Sequence, residues 1–257
     1  MTAASVAPRP RSWGLWPEHV DLTGQPGTRP VDLGALPQRL TIDLARTAVV
    51  VVDMQNDFLH PRGWLGSIGV DVAPARAAIE PLRQLLPELR GAGVPVVWLG
   101  WGNRPDRANL PPGVLHVYDA DGRGGGIGER AGLSPAVLTE DSWGAEVVDE
   151  LTVEPGDLRV SKYRMTGFVD TPLDSILRRL RVDTLLLAGV NVDQCVLATL
   201  TDAAALGYDV VLVEGASATT SPDFCRAATL YNVRQCFGFT TTPAELSAAL
   251  APTRVTT

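Results

Sequence analysis

Short apolar runs recur along the chain from residue 47 onward, and two segments of more mixed composition, residues 157–162 and 235–240, continue the series of predicted strands. A continuous apolar run predicts a strand that is buried on both faces, as in a parallel sheet. Turn residues or segments with helical spacing separate the runs, so strands and helices are expected to alternate. The predicted strands cover residues 47–54, 94–100, 157–162, 183–190, 208–215 and 235–240.

The segments between these strands carry helix start signals. Thr171 is placed as an N-cap, Pro172 at the first helical position and Asp174 where the acid of a capping box would lie. Strands alternating with helices predict an α/β fold, a three-layer α/β/α sandwich around a central, mainly parallel six-stranded sheet. The predicted helices cover residues 75–90, 144–151, 171–180, 194–207, 221–230 and 243–250.

The distribution of glycine and proline along the chain predicts its domain organisation. Residues 1–45 show no clear period and are expected to form an extended N-terminal arm, followed by one domain over residues 46–257. Residues 101–142 are predicted to be a long insertion loop, of the kind that usually has a function or lacks fixed structure. Its glycine-rich stretch, residues 122–128, follows no strand and opens no helix, so we interpret it as loop and not as a nucleotide site.

Composition narrows the possible partners. The 257 residues carry a formal net charge of -7, which argues against nucleic acid or an anionic membrane as the natural partner. No apolar run approaches the roughly 18 residues that cross a bilayer, and the first residues lack the apolar segment of a secretory signal, so a cytoplasmic location is expected. Three cysteines without a CxxC pattern make zinc ribbons and disulfide frameworks unlikely classes.

Three reactive side chains fall at the carboxyl ends of predicted strands, the edge where open parallel sheets bind ligands. Asp53 ends the first strand, Lys162 ends the third, and Cys195 follows the fourth at the start of a helix. Lys162 is also the only lysine in the chain. Each residue alone has an ordinary structural explanation, but three at one edge predict a catalytic site. We refer to these three residues as the triad.

Each member of the triad has a chemical role that suits its residue type. A thiol at a helix N-terminus beside a cation is expected to form a thiolate readily, which predicts Cys195 as the nucleophile and Lys162 as the cation. Asp53 is predicted to be the base, because the chain has only three histidines. The turn over residues 189–195 brings backbone N–H groups beside the nucleophile, where they would stabilise an oxyanion. The other two cysteines, Cys225 and Cys236, are interpreted as core residues.

Three segments resemble the signatures of the isochorismatase-like cysteine hydrolases: VVVDMQNDF (50–58), SKYRMTGFVDTPLDSILR (161–178) and AGVNVDQCV (188–196). The resemblance covers about residues 45–245 and implies an Asp-Lys-Cys triad. It also implies a cis peptide between Val190 and Asn191, which would direct the N–H groups of Asn191 and Cys195 into an oxyanion hole. The implied cycle is attack on a carbonyl, loss of ammonia or amine, and hydrolysis of the thioester.

Two departures from the family pattern narrow the expected chemistry. Metal-dependent nicotinamidases of the family carry an Asp-x-His motif and further histidines after the second strand, whereas this chain has WLGWGNRPDRANL followed only by His116. We therefore predict no metal and no cofactor. The turn reads GVNVDQC where GVATNVC is common, so the acyl pocket is expected to differ from that of a standard nicotinamidase.

The predicted function is a metal-independent amidohydrolase that cleaves a C–N bond in a small ureido, carbamoyl or lactam substrate. The motifs resemble most the ureidoacrylate and biuret amidohydrolase branch, and streptothricin hydrolase, which opens a lactam, is also similar. An isochorismatase-type vinyl-ether hydrolase and a catalytically silent binding subunit are the alternatives. As is common in the family, a homo-oligomer, dimer or tetramer, is expected. The residues predicted to line the substrate pocket are Asn56, Phe58, Trp101, Asn103 and Phe168.

Overall fold

The computed structural model describes residues 27–129 and 135–251, and before them the backbone of two short strands. Strands form where the apolar runs occur, because β-branched side chains pack well on a pleated surface that is buried on both sides. The strands are β1 (Gly14–Trp16), β2 (His19–Asp21), β3 (Pro30–Leu33), β4 (Leu40–Asp43), β5 (Thr47–Val52), β6 (Val96–Trp101), β7 (Leu158–Lys162), β8 (Thr184–Gly189), β9 (Asp209–Ser217) and β10 (Phe239–Thr241).

The central sheet has six strands in the order β10-β9-β8-β5-β6-β7, and every neighbouring pair is parallel. The predicted three-layer α/β fold with a six-stranded sheet is confirmed. Strand order reverses at β5, since β6 and β7 lie on one side of it and β8 to β10 on the other. Ligands of open α/β sheets bind in the crevice at such a reversal, outside the carboxyl ends of the strands.

The centre of the sheet is tightly packed. Every residue of β5 and of β8 is buried, as expected for strands covered by helices on both faces. At the end of β8, Gly189 passes so close to β5 that a Cβ there would overlap the carbonyl oxygen of Val52. Glycine is also suited to its φ of 113°. This close approach brings the segments that follow β5 and β8 together at one edge.

The helices lie between the strands, as the alternating pattern predicts. The N–H of Leu173 donates to the hydroxyl of Thr171 at 3.1 Å, but the N-cap of the helix Leu173–Leu180 is Pro172, so the predicted N-cap lies one residue too early. Among the described residues, no helix combines the length and the apolar character required to span a membrane. The helices are α1 (Asn56–Leu59), α2 (Trp64–Ser67), α3 (Ala73–Arg76), α4 (Ile79–Gly91), α5 (Pro112–Leu115), α6 (Leu173–Leu180), α7 (Leu197–Ala205), α8 (Asp223–Asn232) and α9 (Pro243–Leu250).

Two predicted elements are wrong. The helix predicted over residues 144–151 does not form, because this segment hydrogen-bonds to the chain after β5: Asn56 N donates to the Glu146 carbonyl at 2.9 Å and Val148 N to the Met54 carbonyl at 3.0 Å. The strand predicted over 235–240 covers only Phe239–Thr241, since Val233–Phe237 continue α8 as a π-helical turn.

The predicted N-terminal arm includes a hairpin. Strands β3 and β4 pair antiparallel over residues 30–43, and β3 packs against α9. Leu36 and Thr240 exchange two backbone hydrogen bonds of 2.9 Å, which join the hairpin to the last strand of the sheet. Nearer the N-terminus β1 and β2 pair with each other. The remainder of the arm before residue 27, and residues 130–134 of the insertion loop, lie outside the described residues.

Candidate active site

The structure brings the three triad residues together at the carboxyl edge of the sheet. Asp53 directly follows β5, Lys162 is the last residue of β7, and Cys195 lies in the turn after β8. The Lys162 Nζ lies 2.8 Å from Asp53 Oδ2, and the Cys195 sulfur interacts with both groups. All three are buried, with exposed fractions of 1% for Asp53, 0% for Lys162 and 5% for Cys195.

A sharp change of backbone direction positions Asp53. Its φ of 50° lies in the left-handed region, which aspartate adopts more readily than most residues. Its N–H donates to the carbonyl of Leu99 at 2.8 Å, and its own carbonyl accepts from the N–H of Gln55 at 2.8 Å. Such strained conformations cluster at functional sites, where the surrounding structure holds them in place.

Three groups besides the Cys195 sulfur surround the ammonium of Lys162. Besides the carboxylate of Asp53, Nζ lies 4.2 Å from the centre of the Trp101 ring and donates to the carbonyl oxygen of Arg164 at 3.1 Å. A buried ammonium needs such partners, because burial without compensation removes the charge. The lysine is therefore held in its charged form.

A tight turn holds Cys195. The Val190–Asn191 peptide bond is cis, as the family resemblance implies. The Asn191 carbonyl accepts from Gln194 N at 3.0 Å and from Val196 N at 3.2 Å, so the chain coils as a π-helical turn into α7. Within the described part of the chain, the N–H of Asn191 donates to no acceptor. The oxyanion role of Asn191 and Cys195 stays a prediction, for which this N–H is free.

Burial dominates the electrostatics of the triad. Burial raises the pKa of Asp53, although the charge of Lys162 acts in the opposite direction. Burial also lowers the pKa of Lys162, but the negative charge of Asp53 opposes it, and that pKa stays above its ordinary value. The thiol of Cys195 has a raised pKa, because burial outweighs the favourable charge of Lys162. This direction is opposite to that of the predicted, readily formed thiolate, and it favours a protonated thiol in the resting site.

The Asp53 carboxylate has few hydrogen bonds for a buried group. Lys162, the Cys195 thiol and the backbone N–H of Trp101 all approach its oxygens, but apart from the ion pair with Lys162 none of these contacts has the geometry of an ordinary hydrogen bond. Buried polar atoms are usually fully bonded, and exceptions require an explanation. A carboxylate with unused acceptor capacity beside a protonated thiol is able to take its proton.

The family of the chain follows from a direct comparison. The isochorismatase domain model matches residues 47–245, a span that contains the whole central sheet and the triad. The chain belongs to the isochorismatase domain family. This confirms the resemblance found in the three sequence segments.

Solved structures of the isochorismatase family resemble this chain over most of its length. A cysteine hydrolase from Pseudomonas syringae is 27% identical with a TM-score of 0.69, over 81% of this chain and 94% of that one. An isochorismatase family protein from Desulfovibrio vulgaris is 28% identical with a TM-score of 0.66, over 80% and 99%. N-carbamoylsarcosine amidase from Thermoplasma acidophilum is 27% identical with a TM-score of 0.59, over 78% and 98%.

Two of the predicted pocket residues of this isochorismatase fold pack within the protein. The Asn56 side chain donates to the Trp143 carbonyl at 2.8 Å, which fastens the segment where a helix was predicted. The Phe58 ring meets the Trp64 ring edge-on with centroids 5.9 Å apart. Both residues are buried. Their roles in substrate binding stay predictions, and the contacts described here are structural.

Of the remaining predicted pocket residues, only Trp101 contacts the triad. Its ring faces Lys162, and its indole N–H donates to Asn103 Oδ1 at 2.7 Å. Asn103 is completely buried and is linked to the triad through Trp101. Phe168 contacts the ring of Tyr208, which precedes β9 at the opposite edge of the sheet, with centroids 5.8 Å apart. The role of Phe168 in substrate binding stays a prediction.

Sequence reasoning missed two residues beside the triad. Met165 Sδ lies 3.8 Å from Cys195 Sγ, on the segment that follows Lys162. The Gln55 side chain accepts from the N–H of Trp101 at 2.7 Å and donates to its carbonyl at 2.8 Å. Both residues lie inside the quoted motifs, and that placement was the only available signal, because neither residue type carries chemistry by itself.

The described residues hold no group of three or more histidine, cysteine, aspartate or glutamate side chains arranged to bind a metal ion. The absence of a metal from the reaction stays a prediction from sequence.

Proposed function

We propose that this chain is a metal-independent cysteine amidohydrolase that cleaves the C–N bond of a small ureido, carbamoyl or lactam substrate through a thioester. The observation that carries the proposal is the burial of Cys195 beside the ion pair of Asp53 and Lys162, whose charged atoms lie 2.8 Å apart; burial also raises the pKa of the Cys195 thiol. Nucleophile, base and cation are the three groups that acyl transfer requires. The similarity to N-carbamoylsarcosine amidase supports a carbamoyl or ureido substrate.

The first half of the proposed cycle forms the thioester. Asp53 accepts the proton of the Cys195 thiol as the sulfur attacks the substrate carbonyl carbon, and the π electrons move to the carbonyl oxygen. The N–H groups of Asn191 and Cys195 are proposed to donate to that oxyanion, each contributing about 3 kcal/mol of transition-state stabilisation. When the C–N bond breaks, Asp53 returns the proton to the leaving nitrogen and the carbonyl re-forms as a thioester.

The second half regenerates the enzyme. A water molecule attacks the thioester carbonyl while Asp53 accepts one of its protons, and the C–S bond then breaks. The sulfur recovers a proton from Asp53, and the acid product leaves. Lys162 stays charged throughout, because its ammonium stabilises the negative charge that passes between carboxylate, sulfur and oxyanion.

The enclosure of the site limits the size of the substrate. Cys195 is 5% exposed and its sulfur contacts the Met165 side chain, so the acyl group must enter a confined space. Water exclusion strengthens the charge interactions on which this cycle depends. The site therefore favours small amides over peptides.

A substrate panel with a nucleophile variant tests the proposal. Release of ammonia or amine is measured for ureido acids, biuret, N-carbamoyl amino acids, primary amides and lactams, with the wild type and with Cys195→Ala. We expect turnover of at least one panel member by the wild type and a loss of about 10³-fold or more in the variant. Cys225→Ala is the matched control and is expected to retain full activity, since its sulfur lies on α8 outside the triad.

Two outcomes contradict the proposal. Undiminished turnover by Cys195→Ala excludes the thioester. Absence of turnover for every C–N substrate, together with hydrolysis of a vinyl ether or with no hydrolysis at all, favours the vinyl-ether hydrolase or the silent binding subunit.

A further inference from the structure

Trp101 is the one predicted pocket residue that touches the triad, and it does so through the face of its ring. The Lys162 Nζ lies 4.2 Å from the ring centre, within the range where an ammonium is attracted by the negative face of an aromatic system. The ring is 1% exposed and the lysine 0%, so no solvent screens the contact. In such surroundings the attraction is at its strongest.

The indole is itself locked by its neighbours. Its N–H donates to Asn103 Oδ1 at 2.7 Å, and the Asn103 amide donates in turn to the Val137 carbonyl at 3.0 Å. The Gln55 side chain bonds both the N–H and the C=O of Trp101, at 2.7 and 2.8 Å. Val137, near the C-terminal end of the insertion loop, thus holds Asn103, and Asn103 in turn holds the indole ring. A ring held at this many points sets the position of the ammonium above it.

An aromatic face has an advantage over a second carboxylate in this position. The titratable groups that face Lys162 are Asp53 from β5 and Cys195 from the turn after β8, and the Arg164 carbonyl is its further acceptor. Another carboxylate would neutralise the ammonium and make a thiolate at Cys195 harder to form. The ring stabilises the positive charge and leaves it available to the sulfur and the oxyanion.

We infer that Trp101, locked by Asn103, is a positioning residue that holds the charged Lys162 where it stabilises the anionic sulfur of Cys195. The inference rests on the proposed role of Cys195 as nucleophile, and it gives the insertion loop a function in the reaction. Trp101 itself does not need to touch the substrate for this role.

Alkylation of Cys195 by iodoacetamide tests the inference without any substrate. The rate is followed for the Cys195 peptide by mass spectrometry across a pH series, because only the thiolate reacts. The variants are Trp101→Leu, which removes the ring, and Trp101→Phe, which keeps a smaller one. Trp98→Leu and Trp98→Phe are the matched controls, since Trp98 is a buried indole on the same strand whose N–H bonds Asp157 at 2.8 Å and not the triad.

We expect Trp101→Leu to lower the alkylation rate by about tenfold at each pH, and Trp101→Phe by less than about threefold. The Trp98 variants should match the wild type, although they lose a comparable buried group. Thermal melting confirms that each variant is folded. If Trp101→Leu does not fold, Asn103→Ala takes its place, since it unlocks the ring and is expected to slow alkylation severalfold relative to Trp98→Phe.

Equal alkylation profiles for the folded Trp101 or Asn103 variants and the Trp98 controls overturn the positioning role, whatever the turnover. If alkylation slows most in Trp101→Leu, less in Trp101→Phe and not at all in the Trp98 variants, but no C–N substrate is turned over, the positioning role stands and the proposed function fails. With a substrate in hand, Trp101→Leu should lower kcat with little change in KM, and a change confined to KM contradicts the inference.

Discussion

Two ion pairs of this protein lie near opposite ends of the same sheet, one fully buried and one with a partly exposed arginine, and they differ in how fully their carboxylates are bonded. Asp157, with its side chain 3% exposed, accepts from Arg90 Nε at 3.0 Å and Nη2 at 2.6 Å, from the Trp98 indole at 2.8 Å and from Glu154 N at 2.9 Å. Asp53 has Lys162 at 2.8 Å and no further hydrogen bond of ordinary geometry from a described residue.

The pKa values of the two carboxyls shift in opposite directions. For Asp157 burial is opposed by the Arg90 and Trp98 hydrogen bonds, which together bring its pKa below the ordinary value. For Asp53 burial prevails and its pKa is raised. Strand β6 supplies a tryptophan to each pair: Trp98 donates its N–H to the carboxylate, whereas Trp101 turns its ring face to the cation. A carboxylate whose oxygens all accept hydrogen bonds has a lowered pKa and stabilises the fold. A buried carboxylate with unused acceptor capacity keeps a raised pKa and can act as a base.

The strongest effect we predict is on turnover, which should depend on the ion pair of Asp53 and not on that of Asp157. Asp53→Asn should lower turnover by about 10³-fold, because the amide cannot accept the thiol proton. Asp157→Asn, the matched control, should keep activity within about threefold, because its carboxylate lies far from the triad. Steady-state turnover and circular dichroism are measured on both variants. Equal losses would contradict the distinction between the two carboxylates.

The second expected effect is on the free energy of unfolding, and here the pair of Asp157 and Arg90 should matter more than the pair of Asp53 and Lys162. Asp157→Asn should lower the free energy of unfolding by about 2–4 kcal/mol, because an amide leaves donors of Arg90 or Trp98 without an acceptor. Urea unfolding at neutral pH measures the change. Trp98→Phe, which removes one of these donors, is the milder companion variant, and a neutral Asp157→Asn would show that the network contributes little.

The third effect is the pH dependence of stability. The lowered pKa of Asp157 gives stability that is present above the unfolded value near 4 and is lost as pH falls through the folded value. The raised pKa of Asp53 has the opposite sign, so its ionisation penalises folding as pH rises from the unfolded toward the folded value. Unfolding curves from strongly acidic to neutral pH cover both transitions, and compared with each Asn variant they should therefore diverge in opposite directions, Asp157 below about pH 4 and Asp53 above it. Parallel differences would refute this assignment.

The smallest effect concerns access to the nucleophile. Met165→Ala should raise the rate of Cys195 alkylation severalfold, because the Met165 sulfur lies 3.8 Å from that of Cys195. Met165→Leu is similar in volume and should leave the rate unchanged. Peptide mass spectrometry with iodoacetamide measures both. If Met165→Ala reacts no faster than Met165→Leu, this side chain does not cover the thiol.

The sequence was sufficient for the sheet and the triad, because both depend on short-range pattern. Apolar runs form strands, and Asp53, Lys162 and Cys195 follow strand ends, where parallel topology brings them together. The segment 144–151 could not be predicted in this way, since its backbone bonds go to residues after β5, about ninety positions earlier. The raised pKa of Cys195 likewise depends on burial by Met165 and other distant residues, which no local pattern reports.

The ultraviolet absorbance of the Cys195 thiolate, taken as wild type minus Cys195→Ala during a pH titration, distinguishes a protonated resting thiol from a preformed thiolate. A protonated thiol poised beside a basic Asp53 predicts no thiolate absorbance from Cys195 at neutral pH and its appearance only in alkaline solution. A full thiolate signal at neutral pH would contradict the account, because the resting site would then hold a preformed thiolate with no need of Asp53 as the base.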